Sequence, residues 1–297
     1  MARLVSTPCS GVKKGLPQQV GPGCAERLGA SQVRWFECNG NRGSWCGILD
    51  RRDDFCWSLV PGGKPEDGAS TAECGDALET AMTGRLPGAP APEEDPEHGD
   101  ARLHVFEETV RGYADRAMPE EIRRNMANVL THYTADVHGV LAERKGEART
   151  DMTVRELTPF LRGVFEDEEA FRAVHGAQTA RVAEALGELG REDFTRIPEG
   201  GTDRAMGTVS DGGTVLGTLT RIRSAVIAET TGDDDPTVKQ ELIDTHEEYG
   251  LPRLRRMIRE RAVETGVSED AAGKSGGRTA LLLQEAGQAY TTAANRA

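Results

Sequence analysis

The 297-residue sequence has few aromatic residues, no long apolar run and no cysteine after residue 74. Apolar residues make up 37% of the chain, below the roughly 45–50% that is typical of globular domains. No stretch approaches the roughly 18 consecutive apolar residues of a membrane-spanning helix, so we expect no membrane span. Residues 1–19 contain no continuous apolar segment of the kind found in secretory signal peptides. This favours a cytoplasmic protein, with export by a non-classical route left open.

Acidic residues outnumber basic residues, 49 to 36, which gives a net charge of −13. A chain with this excess of negative charge repels phosphate backbones and anionic membrane surfaces at long range. We therefore expect a protein partner and no nucleic-acid partner.

All six cysteines and all three tryptophans lie within the first 74 residues. This change in composition predicts a coil-rich N-terminal segment over residues 1–69 and an α-helical domain over residues 70–297. No two cysteines have the C-x-x-C spacing of a structural zinc site, and a cytoplasmic location does not favour disulfides, so free thiols are the favoured interpretation. Cys38, Cys46 and Cys56 remain weak candidates for a metal site.

One β signal stands out in the N-terminal segment. Between Gln32 and Leu49, aromatic and β-branched residues lie on both sides of Asn39-Gly40, and an Asn-Gly turn between such runs predicts a small hairpin. Glycine, proline and polar residues flank this region, so the hairpin would have little to pack against. We expect residues 1–42 to be dispensable for folding of the helical domain.

From about Ser70 onward, apolar residues recur at helical spacing, which predicts a mainly α fold in the form of a multi-helix bundle. The longest stripe follows Pro119 and predicts a single, central core helix; it consists of Ile122, Met126, Val129, Leu130, Tyr133, Val137 and Leu141. A capping box at Thr153 and Glu156 predicts another helix start, and Pro159 is expected to interrupt that helix. Further helices are expected after Asp100, Asp167, Asp203 and Asp235, and over about 280–294.

The motifs of common enzyme classes are missing. There is no H-E-x-x-H, and the pattern G-x-S-x-G, which fits residues 273–277, has no strand-like run before it as a nucleophile elbow requires. Gly273-Lys274-Ser275 is not a phosphate-binding loop either, because Ser268 stands where that loop needs its first glycine. We expect no cofactor and no catalysis.

His132 and Asp136 lie four residues apart on the predicted central helix, a spacing at which two side chains share a metal or a proton. A hydrogen bond on the helix surface is the more common interpretation of this pair. An enzyme or metal-binding protein, with a site assembled from sequence-distant residues, is the alternative hypothesis for function.

A basic run follows Pro252. Leu254, Met257 and Ile258 alternate with five arginines, which predicts a basic amphipathic helix that would meet an acidic partner. Acidic residues between positions 233 and 248 precede it, so internal charge balance is the more common interpretation. The candidate interaction residues are Arg253, Arg255, Arg256 and Arg259.

Several stretches resemble an uncharacterised actinobacterial family of Ala-rich helical proteins associated with WXG100-type secretion or polymorphic-toxin loci. The resemblance covers residues 74–84, the helix after Pro119, and residues 160–170 and 213–219, and leaves residues 1–42 outside it. It implies a helical fold and a binding or structural role, and it carries no catalytic residue over to this chain. The resulting hypothesis is a protein–protein interaction or scaffold module of a secretion, toxin or conflict system.

Overall fold

The computed structural model describes residues 34–37, 45–48, 71–92, 98–113, 116–144, 146, 148–198, 203–230, 236–273 and 276–296. Helices dominate these residues, so the predicted mainly α fold with a multi-helix bundle is confirmed. The helices are α1 (Thr71–Thr83), α2 (Asp100–Gly112), a 3-10 helix (Glu120–Ile122), α3 (Arg123–His132), α4 (Thr134–Leu141), α5 (Val154–Val164), α6 (Glu168–Gly187), α7 (Arg191–Thr195), α8 (Arg204–Thr230), α9 (Pro236–Tyr249), α10 (Leu251–Glu264), α11 (Glu269–Gly273) and α12 (Arg278–Arg296).

The predicted hairpin is present as two short strands. β1 (Arg34–Glu37) and β2 (Trp45–Ile48) pair antiparallel, with Phe36 opposite Cys46. The Asn39-Gly40 turn lies outside the described residues.

The first core cluster joins helices α1 to α6 with the C-terminal half of α8. The stripe predicted after Pro119 lies in its centre: Ile122, Met126, Val129 and Val137 have no exposed surface, and Tyr133 has 1%. The aromatic rings of Phe160, Phe165 and Phe171 are also fully buried there or nearly so. The prediction that this stripe forms the central core is confirmed.

The second core cluster joins the C-terminal end of α6 and the N-terminal half of α8 with α7, α10, α11 and α12. Leu254 and Ile258 from α10 and Leu282 and Ala286 from α12 are completely buried in it. Both α6 and α8 therefore contribute to both clusters.

Glycines of α8 permit a close approach to α12. A Cβ atom at Gly213 would lie 2.5 Å from the carbonyl oxygen of Ala286, and one at Gly217 would lie 2.4 Å from the carbonyl oxygen of Tyr290. Because these contacts are with backbone atoms, only glycine fits at either position.

The expected single helix after Pro119 is wrong. The segment forms a 3-10 helix followed by α3 and α4, with a break at Tyr133, where φ is −103° and ψ is 28°. The tyrosine ring is stacked between His98, at a centroid distance of 3.9 Å, and Phe106, at 4.1 Å, and its hydroxyl donates to the Met82 carbonyl. These tertiary contacts hold Tyr133 outside helical geometry, so His132 and Asp136 belong to different helices.

The expected interruption at Pro159 is also wrong, since α5 continues through it to Val164. A proline inside a helix costs about 3 kcal/mol. The helix buries Leu157, Phe160, Leu161 and Val164 on one side, and each such side chain contributes about 1.5–3 kcal/mol. Burial of this side therefore outweighs the cost of the proline. The predicted capping box at the start of α5 is confirmed: Thr153 and Glu156 each accept a hydrogen bond from the other's backbone N–H.

Candidate functional site

Helix α10 carries the candidate interaction residues on a well-anchored backbone. Leu254, Ile258 and Ala262 recur every four residues and are completely buried against α8 and α12. Pro252 in the first turn suits the start of a helix because its missing N–H would have no intrahelical acceptor there. The opposite side of α10 is therefore held in a fixed position at the molecular surface.

The arginines of α10 occupy that exposed side. Arg255, Arg256 and Arg259 are exposed, and Arg253 is half-buried. We call these four residues the arginine surface. The guanidinium of Arg255 extends toward α12, since a Cβ atom added at Gly287 would lie 2.8 Å from its Nη2. Arg259 lines an open cleft of about 450 Å³ between α10 and α11.

The fifth arginine of the run has a structural role. Arg261 donates hydrogen bonds to the carbonyl oxygens of Gly187 and Leu189 at the end of α6. These bonds satisfy carbonyl groups that a helix terminus leaves without intrahelical partners. Arg261 thus connects α10 to α6 and is not part of the arginine surface.

Most of the charge on the arginine surface is not balanced by described carboxylates. Arg256 lies 4.0 Å from the carboxylate of Glu260, whereas Arg253, Arg255 and Arg259 form no ion pair with any residue of the described ranges. Asp244 of α9, one of the acidic residues expected to balance the run, instead accepts a hydrogen bond from Gln240.

His132 and Asp136, the candidate metal or proton pair, bind different partners. The Nε2 atom of His132 lies 3.1 Å from the carbonyl oxygen of Ala89. Asp136 accepts hydrogen bonds from the backbone N–H and the guanidinium of Arg149, at 2.7 and 3.1 Å. The structure does not bring the two side chains together.

His132 is buried, with 2% of its surface exposed, so the expectation of a hydrogen bond on the helix surface is wrong. The cause is a segment without regular secondary structure, residues 84–92, which follows α1 and covers this side of α3. Such a segment has no hydrophobic period, so the sequence pattern could not show where it lies.

The covered side of α3 is a polar cluster built around Glu79 of α1, whose surface is only 1% exposed. One carboxylate oxygen of Glu79 accepts from the backbone N–H of Gly88 at 2.6 Å and from Asn128 at 2.5 Å, and the other accepts from Asn125 at 2.7 Å. Asn128 also donates to the Ala89 carbonyl at 2.9 Å. Segment 84–92 is therefore attached to α1 and α3 through Gly88 and Ala89.

A second buried histidine adjoins this cluster. His98 has 6% of its surface exposed, and its Nε2 lies 2.9 Å from the carbonyl oxygen of His132. Burial lowers the pKa of both imidazoles because it removes water from the charged form. The positive charge of Arg149 lowers the pKa of His98 further, and that of Arg85 does the same for His132. Both rings are thus held in the neutral form.

The cysteine candidates are only partly within the described residues. Cys46 lies in β2, whereas Cys38 and Cys56 lie outside the described ranges. In the part of the chain that the structure describes, no three His, Cys, Asp or Glu side chains form a group that could hold a metal ion. The metal-site hypothesis for Cys38, Cys46 and Cys56 stays a prediction.

Comparison of the chain with protein-family models, with curated proteins and with solved structures found no match. Within the described ranges, no helix is both long and apolar enough to cross a membrane.

Proposed function

We propose that the helical domain is a protein–protein interaction module that binds an acidic segment of a partner protein through the arginine surface of α10. The observation that supports this proposal is the exposure of Arg255, Arg256 and Arg259 on one anchored helix, where Arg255 and Arg259 have no ion pair with a described residue. A guanidinium binds a carboxylate through two parallel hydrogen bonds, which gives such a surface directional preference for Asp and Glu side chains.

The charge of the whole chain favours a short acidic segment over an extended polyanion. The net charge of −13 repels nucleic acid and anionic membranes over a distance of about 10 Å at moderate salt. A peptide segment that contacts α10 alone meets mainly the local positive charge. The preferred occupant of the arginine surface is therefore a protein segment rich in Asp or Glu.

The biological setting belongs to the same proposal. The resemblance to helical proteins of secretion and toxin loci supports a scaffold or adaptor role in a secretion, toxin or conflict system. The module would act in the cytoplasm, or be exported by a non-classical route, and would require neither cofactor nor catalysis.

Fluorescence anisotropy with a labelled oligoglutamate peptide and the full chain tests the proposal. Arg255→Glu together with Arg259→Glu should weaken binding by about 10-fold or more, because two attractive contacts become repulsive. The control is Arg155→Glu together with Arg221→Glu, two exposed arginines of α5 and α8, which changes net charge equally and should leave affinity within about 2-fold.

Two results would contradict the proposal. Equal weakening in both double variants would mean that the peptide responds to net charge and not to α10. Tighter binding of duplex DNA or of phosphatidylserine vesicles than of oligoglutamate, with loss in the α10 variant, would assign the surface to a different class of ligand.

A further inference from the structure

Segment 84–92 is attached to the helical core by a small number of polar contacts. At its start, the N–H groups of Gly84 and Arg85 donate to Thr80 and Thr83 at the end of α1. Beyond this turn, the hydrogen bonds that attach it to α1 and α3 are the one from the Gly88 N–H to Glu79 and those from Asn128 and His132 to the Ala89 carbonyl. Residues 85–88 are exposed, and Leu86 leaves 59% of its surface in water. A segment held by so few buried contacts is expected to open locally at a much lower free energy than the core helices.

The hydrogen bond to Ala89 fixes the protonation of His132. A carbonyl oxygen only accepts, so Nε2 must carry the hydrogen and donate it. In the neutral ring, Nδ1 then has no hydrogen, and this atom is buried without a hydrogen-bond partner among the residues that the structure describes. The described part of the site accepts the neutral imidazole and provides no acceptor for a second N–H.

Protonation of His132 would therefore place a charged N–H donor in a buried position without an acceptor. An unsatisfied buried donor of this kind is costly, and more so when it is charged. The loss of water on burial is the largest effect on the ring and lowers the pKa of His132, and the positive charge of Arg85 lowers it further. The Ala89 carbonyl and the carboxylate of Glu79 favour the charged ring, but they do not outweigh burial. Glu79 already accepts from Gly88, Asn125 and Asn128, so it does not supply the missing acceptor.

A second titratable ring, that of His98, is hydrogen-bonded to the backbone of His132. Its Nε2 donates to the carbonyl of His132, and it faces Arg149 and Asp136. Asp136 favours the charged form of His98, but its two oxygens are bound by Arg149. A charge on His132 further disfavours a charge on His98. Of the two rings, His132 is the one that binds the Ala89 carbonyl, so its protonation acts on the segment directly.

We propose that protonation of His132 releases segment 84–92 from α3, so that mild acid uncovers the polar cluster of Glu79, Asn125, Asn128 and His132. Release of Ala89 gives the imidazolium access to water and removes the unsatisfied donor. The uncovered surface presents a carboxylate, two amides and a cation, all of which are inaccessible or partly covered at neutral pH.

The direction of the pH dependence follows from the lowered pKa of His132. The attached form binds fewer protons than the released form, whose imidazole titrates near the ordinary value of about 6.5. The free energy that holds segment 84–92 on α3 is therefore largest above about pH 6.5. It decreases as the pH falls from there toward the lower pKa of His132 in the attached form.

Hydrogen exchange measured by mass spectrometry on the full chain tests the proposal. Protection factors, corrected for the pH dependence of chemical exchange, are compared at about pH 7.5 and pH 5.5, on either side of the ordinary histidine pKa. Peptides that cover 84–92 should lose up to about 10-fold in protection at the lower pH, which is the most that one imidazole with a released-form pKa of about 6.5 can supply over this range. Peptides of α3 and α6 should change by less than about 2-fold.

His132→Gln separates titration from hydrogen bonding. Glutamine retains an N–H donor for the Ala89 carbonyl and does not titrate, so this variant should keep its protection of segment 84–92 at pH 5.5. His104→Gln is the matched control, because His104 is exposed on α2 and its replacement should leave the wild-type pH response intact.

Several results would overturn the proposal. An equal loss of protection in His132→Gln would assign the pH response to another group, such as Glu79, and a loss shared by α3 and α6 would mean global unfolding. If His132→Gln fails to fold, a pH titration of uniformly ¹⁵N-labelled wild type followed by NMR decides the question. Titration of His132 without a simultaneous change in the signals of Gly88 and Ala89 would rule out the release.

Discussion

Gly217 and Gly176 are two helical glycines at which the same substitution should have opposite effects on stability. At Gly217 in α8, an added Cβ atom would lie 2.4 Å from the carbonyl oxygen of Tyr290. At Gly176 in α6, it would meet no heavy atom within 4 Å. Alanine has a better helix propensity than glycine by up to about 1 kcal/mol at either site. The difference between the two variants therefore isolates the cost of the α8–α12 contact.

The expected cost at Gly217 follows from the size and the nature of the overlap. The distance of 2.4 Å is about 1 Å below the lower limit of an ordinary contact, 3.4 Å. To make room for the methyl group, α8 and α12 would have to move apart by about 1 Å, and a gap of that width removes roughly a quarter to a half of the dispersion energy of each atom pair across the contact. Overpacking typically costs about 1–3 kcal/mol. Since the obstacle is backbone, we take the upper end, and the propensity gain of about 1 kcal/mol leaves a net loss of about 2 kcal/mol.

Thermal unfolding followed by far-ultraviolet circular dichroism measures both effects. Gly217→Ala should lower Tm by about 4–8 °C and Gly176→Ala should raise it by about 1–4 °C, since about 1 kcal/mol corresponds to roughly 2–4 °C in a domain of this size. A similar rise in Tm for both variants would show that Gly217 has room for a methyl group and would refute the close approach of α8 and α12.

Four further changes test the core, a helix start, the buried histidine and the N-terminal segment. Ile122→Ala together with Met126→Ala removes two completely buried side chains at about 2–5 kcal/mol each and should unfold the protein or nearly so, and an unchanged melt would refute the core assignment. Thr153→Ala removes the capping box and should lower the unfolding free energy in urea by about 0.5–2 kcal/mol, whereas no change would mean that the cap is not needed. His132→Ala should cost more than about 1 kcal/mol at pH 7.5, because the ring is buried, and a smaller loss would contradict that burial. Deletion of residues 1–42 should leave Tm within about 2 °C of the full chain, because every described core residue lies at or after residue 78, and a large fall would contradict this.

The helices and their buried sides could be predicted because helical burial leaves a period in the sequence. The stripe after Pro119 and the apolar residues of α8 repeat every three or four positions, and both are buried as expected. Capping residues have a comparably local signal, which is why Thr153 and Asp167 are found at the starts of α5 and α6. For these features, residues that are close in the sequence were enough to predict the structure.

The features that the sequence did not reveal all depend on contacts between distant residues. The break at Tyr133 has no proline or glycine to mark it, and it rests on stacking with His98 and Phe106. The burial of His132 depends on the carbonyl of Ala89, which is 43 residues away and belongs to a segment without a period. For the arginine surface, the sequence identified the residues, and the separation of Arg261 from them required knowledge of where α6 ends.

Helix α8 has a consequence for how the molecule loses its structure. It comprises 27 residues, which corresponds to a length of about 40 Å. Val215 and Leu219 belong to the first core cluster, whereas Val209 and Leu216 belong to the second. Along the chain, Val215 of the first cluster lies between Val209 and Leu216 of the second, so the two clusters overlap at the middle of the helix. If one cluster unfolds, the other loses packing contacts along α8, so heating should produce a single cooperative transition. A destabilising substitution in one cluster should therefore also lower the temperature at which the other cluster unfolds.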